Sequence, residues 1–128
     1  MLFSDAVRDH ATKPRGVGPP TSHTHRGRAN LNPDGGPYVT LFLTVESGVV
    51  KSCHFNCNGC IATTIAGSAI AELLPGRSVA EALRLEPADV LAVLGPVPEG
   101  KEYGAELAVR AFRKALESED AQTPGGSS

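Results

Sequence analysis

A change of hydrophobic period in the middle of the chain limits the folds that it can adopt. Residues 38–46 alternate apolar and polar side chains, which is the pattern of a strand with one buried face. The pair Ser47-Gly48 predicts a hairpin turn, and residues 49–56 then form a second strand. From Cys60 onwards the apolar residues recur at helical spacing. A helix therefore follows the hairpin and packs on its apolar face.

The rest of the chain adds an edge strand before this hairpin, and helices that precede and follow it in the sequence. Ser4 is placed to cap a helix over residues 5–12, and residues 26–31 form a candidate edge strand. After the central helix, the sequence predicts further helices over residues 79–85, 87–94 and 103–116. We therefore predict an α+β fold, a small antiparallel sheet of about three strands with helices packed on one face.

Composition and length are those of one soluble domain. The chain has 128 residues, 41% of them apolar and 20% charged, and its net charge of −2 gives no reason to expect nucleic acid or an anionic membrane as a partner. No apolar run reaches the roughly 18 residues of a membrane span, and the N-terminus lacks the pattern of a secretion signal. We expect one domain over residues 1–119, a disordered tail over residues 120–128 and a cytoplasmic protein.

All three cysteines lie in one stretch, spaced C-x3-C-x2-C, where the second strand gives way to the helix. Cys57 and Cys60 have the spacing that lets two thiolates hold one ion across a turn, and Gly59 between them removes an obstructing side chain. Cys60 begins a helix, whose free N–H groups stabilise a thiolate and lower the pKa of a thiol. Thiolates bind zinc, iron and iron–sulfur clusters. The sequence therefore predicts a metal or cluster site at Cys57 and Cys60.

The sequence leaves the remaining ligands of this site open. Cys53 and Asp34 are the candidate third ligands, followed by three histidines, His23, His25 and His54. Cys53 also suits the core, because free cysteine is among the most buried residue types. The histidines equally suit packing or solvated roles. The spacing of Cys57 and Cys60 is also compatible with an inert thiol pair or with a redox-active dithiol.

Four stretches carry a resemblance that extends along nearly the whole chain. Residues 3–18, FSDAVRDHATKPRGVG, are similar to a family opening in which a helix ends D-H and continues into N-P-R-N-V-G. Residues 55–60 with the small-residue helix after them resemble the family's central cysteine segment. Residues 75–83, PGRSVAEAL, resemble its G-K-[ST]-x-x-E-A stretch, and residues 105–111, AELAVRA, resemble its terminal helix. On these stretches the chain resembles the U-type iron–sulfur cluster assembly scaffolds, IscU and the N-terminal domain of NifU.

The resemblance implies the fold and the function of that family. A scaffold of this type receives sulfide from a cysteine desulfurase, takes up iron, assembles a [2Fe–2S] cluster and hands it on, and it is not a conventional enzyme. The family site uses three cysteines, an aspartate close after the first and often a histidine beside the last. Only the second cysteine is present here, as Cys60. The other positions hold Gly35, Pro37, Gly100 and Lys101.

Three functions are compatible with this departure from the family site. The first is a scaffold-like protein that binds iron, a [2Fe–2S] cluster or zinc through Cys57 and Cys60. Cys53 or Asp34 would then be the third ligand, and a homodimer would supply others. The second is a metal-free regulatory or interaction module that still docks on cysteine desulfurase and other assembly proteins. The third is a dithiol redox protein, which the absence of a thioredoxin-like βαβ pattern disfavours.

Overall fold

A computed structural model describes residues 4–33, 35–59, 61–97 and 99–117, and the structural statements below refer to these residues. Its elements are, in chain order, α1 (Asp5–Thr12), β1 (His25–Asn32), β2 (Gly35–Glu46), β3 (Val49–Asn58), α2 (Ile61–Leu73), α3 (Val79–Leu83), α4 (Pro87–Leu94) and α5 (Tyr103–Glu117). The strands form one antiparallel sheet in the order β1-β2-β3, which confirms the predicted α+β class. None of the described helices is long and apolar enough to cross a membrane.

The predicted elements are present, with ends that shift by a few residues. β2 begins at Gly35, because its ladder to β1 extends into the loop, where Asn32 lies opposite Gly35. β3 continues to Asn58, which lies opposite Tyr38. The predicted tail, residues 120–128, lies outside the described residues, so its disorder stays a prediction.

The connector after α1 adds a short parallel edge to the sheet. The Phe55 amide donates to the carbonyl oxygen of Gly16 at 2.7 Å, and the Gly18 amide donates to the carbonyl oxygen of Phe55 at 2.8 Å. Val17 therefore runs parallel to β3 beside Phe55. A Cβ at Gly16 would lie 2.7 Å from the carbonyl oxygen of Cys53, so this close approach requires glycine.

The core lies between the sheet and two helices, α2 and α5. Alternate residues of β2 on this side, Val39, Leu41 and Leu43, are fully buried, as the strand pattern predicted. Burying each such side chain stabilises the fold by about 1.5–3 kcal/mol. At Gly67 of α2, a Cβ would lie 2.4 Å from the ring of Phe55. The small residues of α2 therefore let this helix approach the sheet closely.

A buried hydrogen-bond network joins α1 to α2. Ser68 Oγ accepts from the Arg15 amide at 2.9 Å, so its own hydrogen is free to donate to His10 Nδ1 at 2.6 Å. Nε2 of His10 then carries the ring proton and lies 3.2 Å from Glu72 Oε1. Burial lowers the pKa of His10. A neutral histidine thus holds α1 against the helix that follows the cysteine stretch.

Candidate metal centre

The turn between β3 and α2 is held tightly against the start of β2. Gly59 has a φ of +144°, an angle that residues with side chains rarely adopt. A Cβ there would lie 3.1 Å from Thr63 Oγ1 and 3.2 Å from Pro37 Cβ. The backbone angle therefore requires glycine at this position, and a Cβ would also be crowded by both neighbours.

The first turn of α5 packs on the first turn of α2. A Cβ at Gly104 would lie 2.2 Å from the carbonyl oxygen of Ala62, so only glycine permits this approach. The Gly104 amide donates to the carbonyl oxygen of Lys101 at 3.4 Å, which places the preceding loop beside the same helix start. Segments near residues 37, 59 and 101, distant in sequence, therefore meet at one end of the sheet.

Cys57 is half-buried on the face of β3 that α2 covers. It lies opposite Val39 in the ladder to β2. Its Sγ is 3.7 Å from Thr64 Oγ1, whose hydroxyl can donate to a thiolate. Thr64 was not predicted from the sequence. The available signal was the polar pair Thr63-Thr64 in the first turn of an otherwise apolar helix.

Cys53 lies in the core and not at this end of the sheet. It is 4% exposed, and burial raises the pKa of its thiol far above the usual range. Four residues along a strand span about 13 Å, whereas two sulfurs bound to one ion lie within about 5 Å of each other. Cys53 and Cys57 therefore cannot bind the same ion in this fold. We leave Cys53 out of the proposed site.

Two predicted ligands, Asp34 and Cys60, lie outside the described residues, so their roles stay predictions. Gly35 and Gly59, their neighbours in sequence, belong to the start of β2 and to the β3–α2 turn. Within the described ranges, which lack both candidate ligands, no group of three or more Cys, His, Asp or Glu could hold a metal ion.

The three candidate histidines make contacts away from the cysteines. His54 lies opposite Phe42 in the sheet. Because side chains alternate along a strand, it extends from the face opposite to the cysteines of β3. The ring of His23 packs edge-on against Phe42 with the centroids 5.2 Å apart, and burial lowers the pKa of His23. Nδ1 of His25 lies 2.8 Å from Thr24 Oγ1. These contacts favour packing roles for all three.

Comparison with known proteins decides the family. The family model described as "NifU-like N terminal domain" matches residues 2–123. The chain belongs to this family. An iron–sulfur cluster assembly scaffold protein IscU of Archaeoglobus fulgidus is 30% identical over 115 residues, which cover 90% of this chain and 74% of that protein.

Further relatives and solved structures agree with this family and its fold. A bifunctional protein NifU/MnmA of Rubrobacter xylanophilus is 35% identical over 117 residues, and the match covers 90% of this chain but only 24% of that protein. The crystal structure of a NifU-like protein (N-terminal) from Brucella abortus superposes with a TM-score of 0.66 at 19% identity. It covers 94% of this chain and 95% of that chain, which confirms the expected IscU/NifU-like fold.

Within this family fold, four of the five positions that the resemblance assigns to cluster ligands lack the expected residue, and only Cys60 keeps it. Gly35 and Lys101 replace cysteines, Pro37 replaces an aspartate and Gly100 replaces a histidine. None of these four can supply the expected thiolate, carboxylate or imidazole. Pro37 nevertheless lies against the turn at Gly59.

Proposed function

We propose that this protein is a scaffold for iron–sulfur cluster assembly with a rebuilt set of ligands. The observation that carries the proposal is the meeting of three segments at one end of the sheet, where Gly59 contacts Pro37 and Gly104 contacts Ala62. The relatives that are named iron–sulfur cluster assembly scaffold proteins support the same function. Iron and sulfide are the cargo, and no catalytic turnover is part of the proposal.

Cys57 and Cys60 are the proposed thiolate ligands, and Asp34 is the proposed oxygen ligand. Cys57 is the better candidate of the two described cysteines, because it is only half-buried while Cys53 is enclosed. The Thr64 hydroxyl lies 3.7 Å from Cys57 Sγ, where it could donate to a metal-bound sulfur, and the start of α2 adds the positive end of a helix dipole. Thiolate ligands suit iron and zinc alike.

The proposal includes a second copy of the chain, which supplies further ligands, and assembly partners, which supply sulfide and accept the cluster. A [2Fe–2S] cluster in proteins is commonly held by four thiolates, and one chain supplies two from Cys57 and Cys60. A homodimer would supply the other two thiolates, whereas Asp34 would be the third ligand when a single chain holds iron. The sulfide would come from a cysteine desulfurase, and the completed cluster would pass to an acceptor protein.

A metal-free regulatory or interaction module is the second candidate function. The exchange of ligands at Gly35, Pro37, Gly100 and Lys101 favours it. A protein that only docks on assembly partners keeps the family surface without needing these ligands. The two functions differ in one property, the capacity to hold iron.

Anaerobic reconstitution followed by cluster transfer tests the proposal. The protein is incubated with ferrous iron and sulfide, desalted and mixed with an apo-ferredoxin of the [2Fe–2S] type. Wild type is expected to show charge-transfer absorption, bound iron and sulfide, and transfer faster than a protein-free mixture. The Cys60→Ala variant is expected to lose all three properties.

The opposite outcome has a defined meaning. A wild-type protein that stays colourless and iron-free, yet binds a cysteine desulfurase, would establish the metal-free module instead. Metal analysis of the protein as purified separates zinc from iron, since stoichiometric zinc that blocks reconstitution would make zinc the native ion.

A further inference from the structure

β1 is an edge strand whose outer side is open in the described part of the chain. The strand order places it at one end of the sheet, and the backbone of residues 26–32 hydrogen-bonds only to β2 there. The opposite edge differs, because Val17 covers β3. Free backbone groups along an edge strand are a template for pairing with another extended chain.

Four cations flank this open edge, and none of them forms an ion pair with a described carboxylate. Arg26 and Arg28 extend from the helix-free face of β1, since Gly27 between them packs on α5. The guanidinium of Arg28 lies 3.6 Å from the centroid of the Tyr38 ring, which holds it in place.

The other pair of cations lies on α5, on the opposite side of the edge. Arg110 and Lys114 are exposed and one helical turn apart. They border a surface cavity of about 360 Å³ whose remaining lining is residues 30–33. The cavity therefore lies beside the open edge of β1, and its two cations add positive charge there.

We propose that the outer edge of β1 is a docking site for an extended, acidic segment of a partner protein. The segment would add a strand to the sheet through backbone hydrogen bonds. Because side chains of a strand alternate between faces, its carboxylates would reach Arg26 and Arg28 on one side and Arg110 and Lys114 on the other.

Charge decides which occupant fits. All four flanking side chains are cationic, so a basic segment would be repelled and a purely apolar one would leave the cations unused. A nucleic acid fits less well, because its phosphate backbone would meet a chain whose net charge is −2. An acidic polypeptide satisfies both the backbone edge and the charges.

A labelled peptide tests this docking site on the full chain. Eight strand residues span about 26 Å, so the probe is a fluorescein-labelled peptide of about ten residues in which pairs of glutamates alternate with pairs of threonines. Because the side chains of a strand alternate between faces, this repeat places glutamates on both faces of the added strand. Binding is measured by anisotropy at low ionic strength, and its location by amide chemical shifts.

We expect shifts along residues 26–32 and about fivefold weaker binding for the double variant Arg110→Gln, Lys114→Gln. The double variant Lys51→Gln, Arg84→Gln also removes two exposed cations but none beside β1, so it serves as the matched control and should bind like wild type.

Four results would overturn the assignment. The first is equal affinity of the two double variants, and the second is a set of shifts that avoids β1. The third is binding of oligothymidylate as tight as that of the peptide, which would indicate a nucleic acid. The fourth is several-fold tighter peptide binding by Glu119→Gln, Asp120→Asn, which would mean that the chain's own tail occupies the edge. A lysine–threonine peptide controls for non-specific binding and should show none.

Discussion

Replacing Gly104 with alanine should destabilise the protein, although the exchange is normally favourable in a helix. The new Cβ would lie 2.2 Å from the carbonyl oxygen and 2.7 Å from the carbonyl carbon of Ala62. Both atoms are backbone, so α5 and α2 must separate by about 1 Å to restore ordinary contact. Overpacking of this kind costs up to about 3 kcal/mol, and the gain in helix propensity offsets about 1 kcal/mol of it. The expected net loss is about 2 kcal/mol.

Thermal and urea unfolding measure this loss. For a domain of this size, about 2 kcal/mol corresponds to a Tm lower by roughly 8 °C. Glu106→Ala, an exposed change two residues further along α5, is the control and should stay within about 0.5 kcal/mol of wild type. A Gly104→Ala protein as stable as wild type would show that the two helix starts do not touch as described, and the meeting of segments that underlies the candidate site would fail with it.

Three further predictions concern the buried network and the cysteines. Ser68→Ala should lower the free energy of unfolding by about 1–3 kcal/mol, because the Arg15 amide and His10 Nδ1 both lose their partner. Urea denaturation measures this loss, and an unchanged midpoint would refute the hydrogen-bond network. The pKa of His10 is lowered from 6.5 by burial, so the unfolded chain takes up this proton at a higher pH than the folded chain does. The free energy of unfolding should therefore fall as the pH drops below about 6.5. His10→Gln should flatten this dependence, and an identical pH profile would contradict it. Iodoacetamide should alkylate Cys57 in the folded protein and Cys53 only after unfolding. Mass spectrometry of peptides follows both reactions, and equal alkylation rates in the folded protein would show that Cys53 is accessible.

The sequence predicted the elements whose side chains repeat with a clear period. The alternation of Val39, Leu41 and Leu43 identified the buried face of β2 correctly. The other face was expected to be exposed, yet Phe42 is 8% and Thr40 is 4% exposed. Neighbouring side chains cover that face, which a single strand's pattern does not reveal.

Features that depend on backbone contacts between distant segments could not be predicted. The pairing of residues 16–18 with β3 uses backbone atoms of a glycine-rich connector, which has no side-chain period. The contact of Cys57 with Thr64 arises from the angle at which α2 leaves β3. The spacing of the cysteines likewise did not separate the enclosed Cys53 from the half-buried Cys57, because both occupy the same face of one strand.

Iron–sulfide reconstitution of Cys57→Ala beside Cys53→Ala tests the rebuilt site most directly. Both variants remove one thiol from β3, so they differ in position and not in chemistry. The account predicts that Cys53→Ala keeps wild-type absorption and iron content, while Cys57→Ala loses both. Cluster binding that survives Cys57→Ala, or disappears equally in both variants, would contradict it.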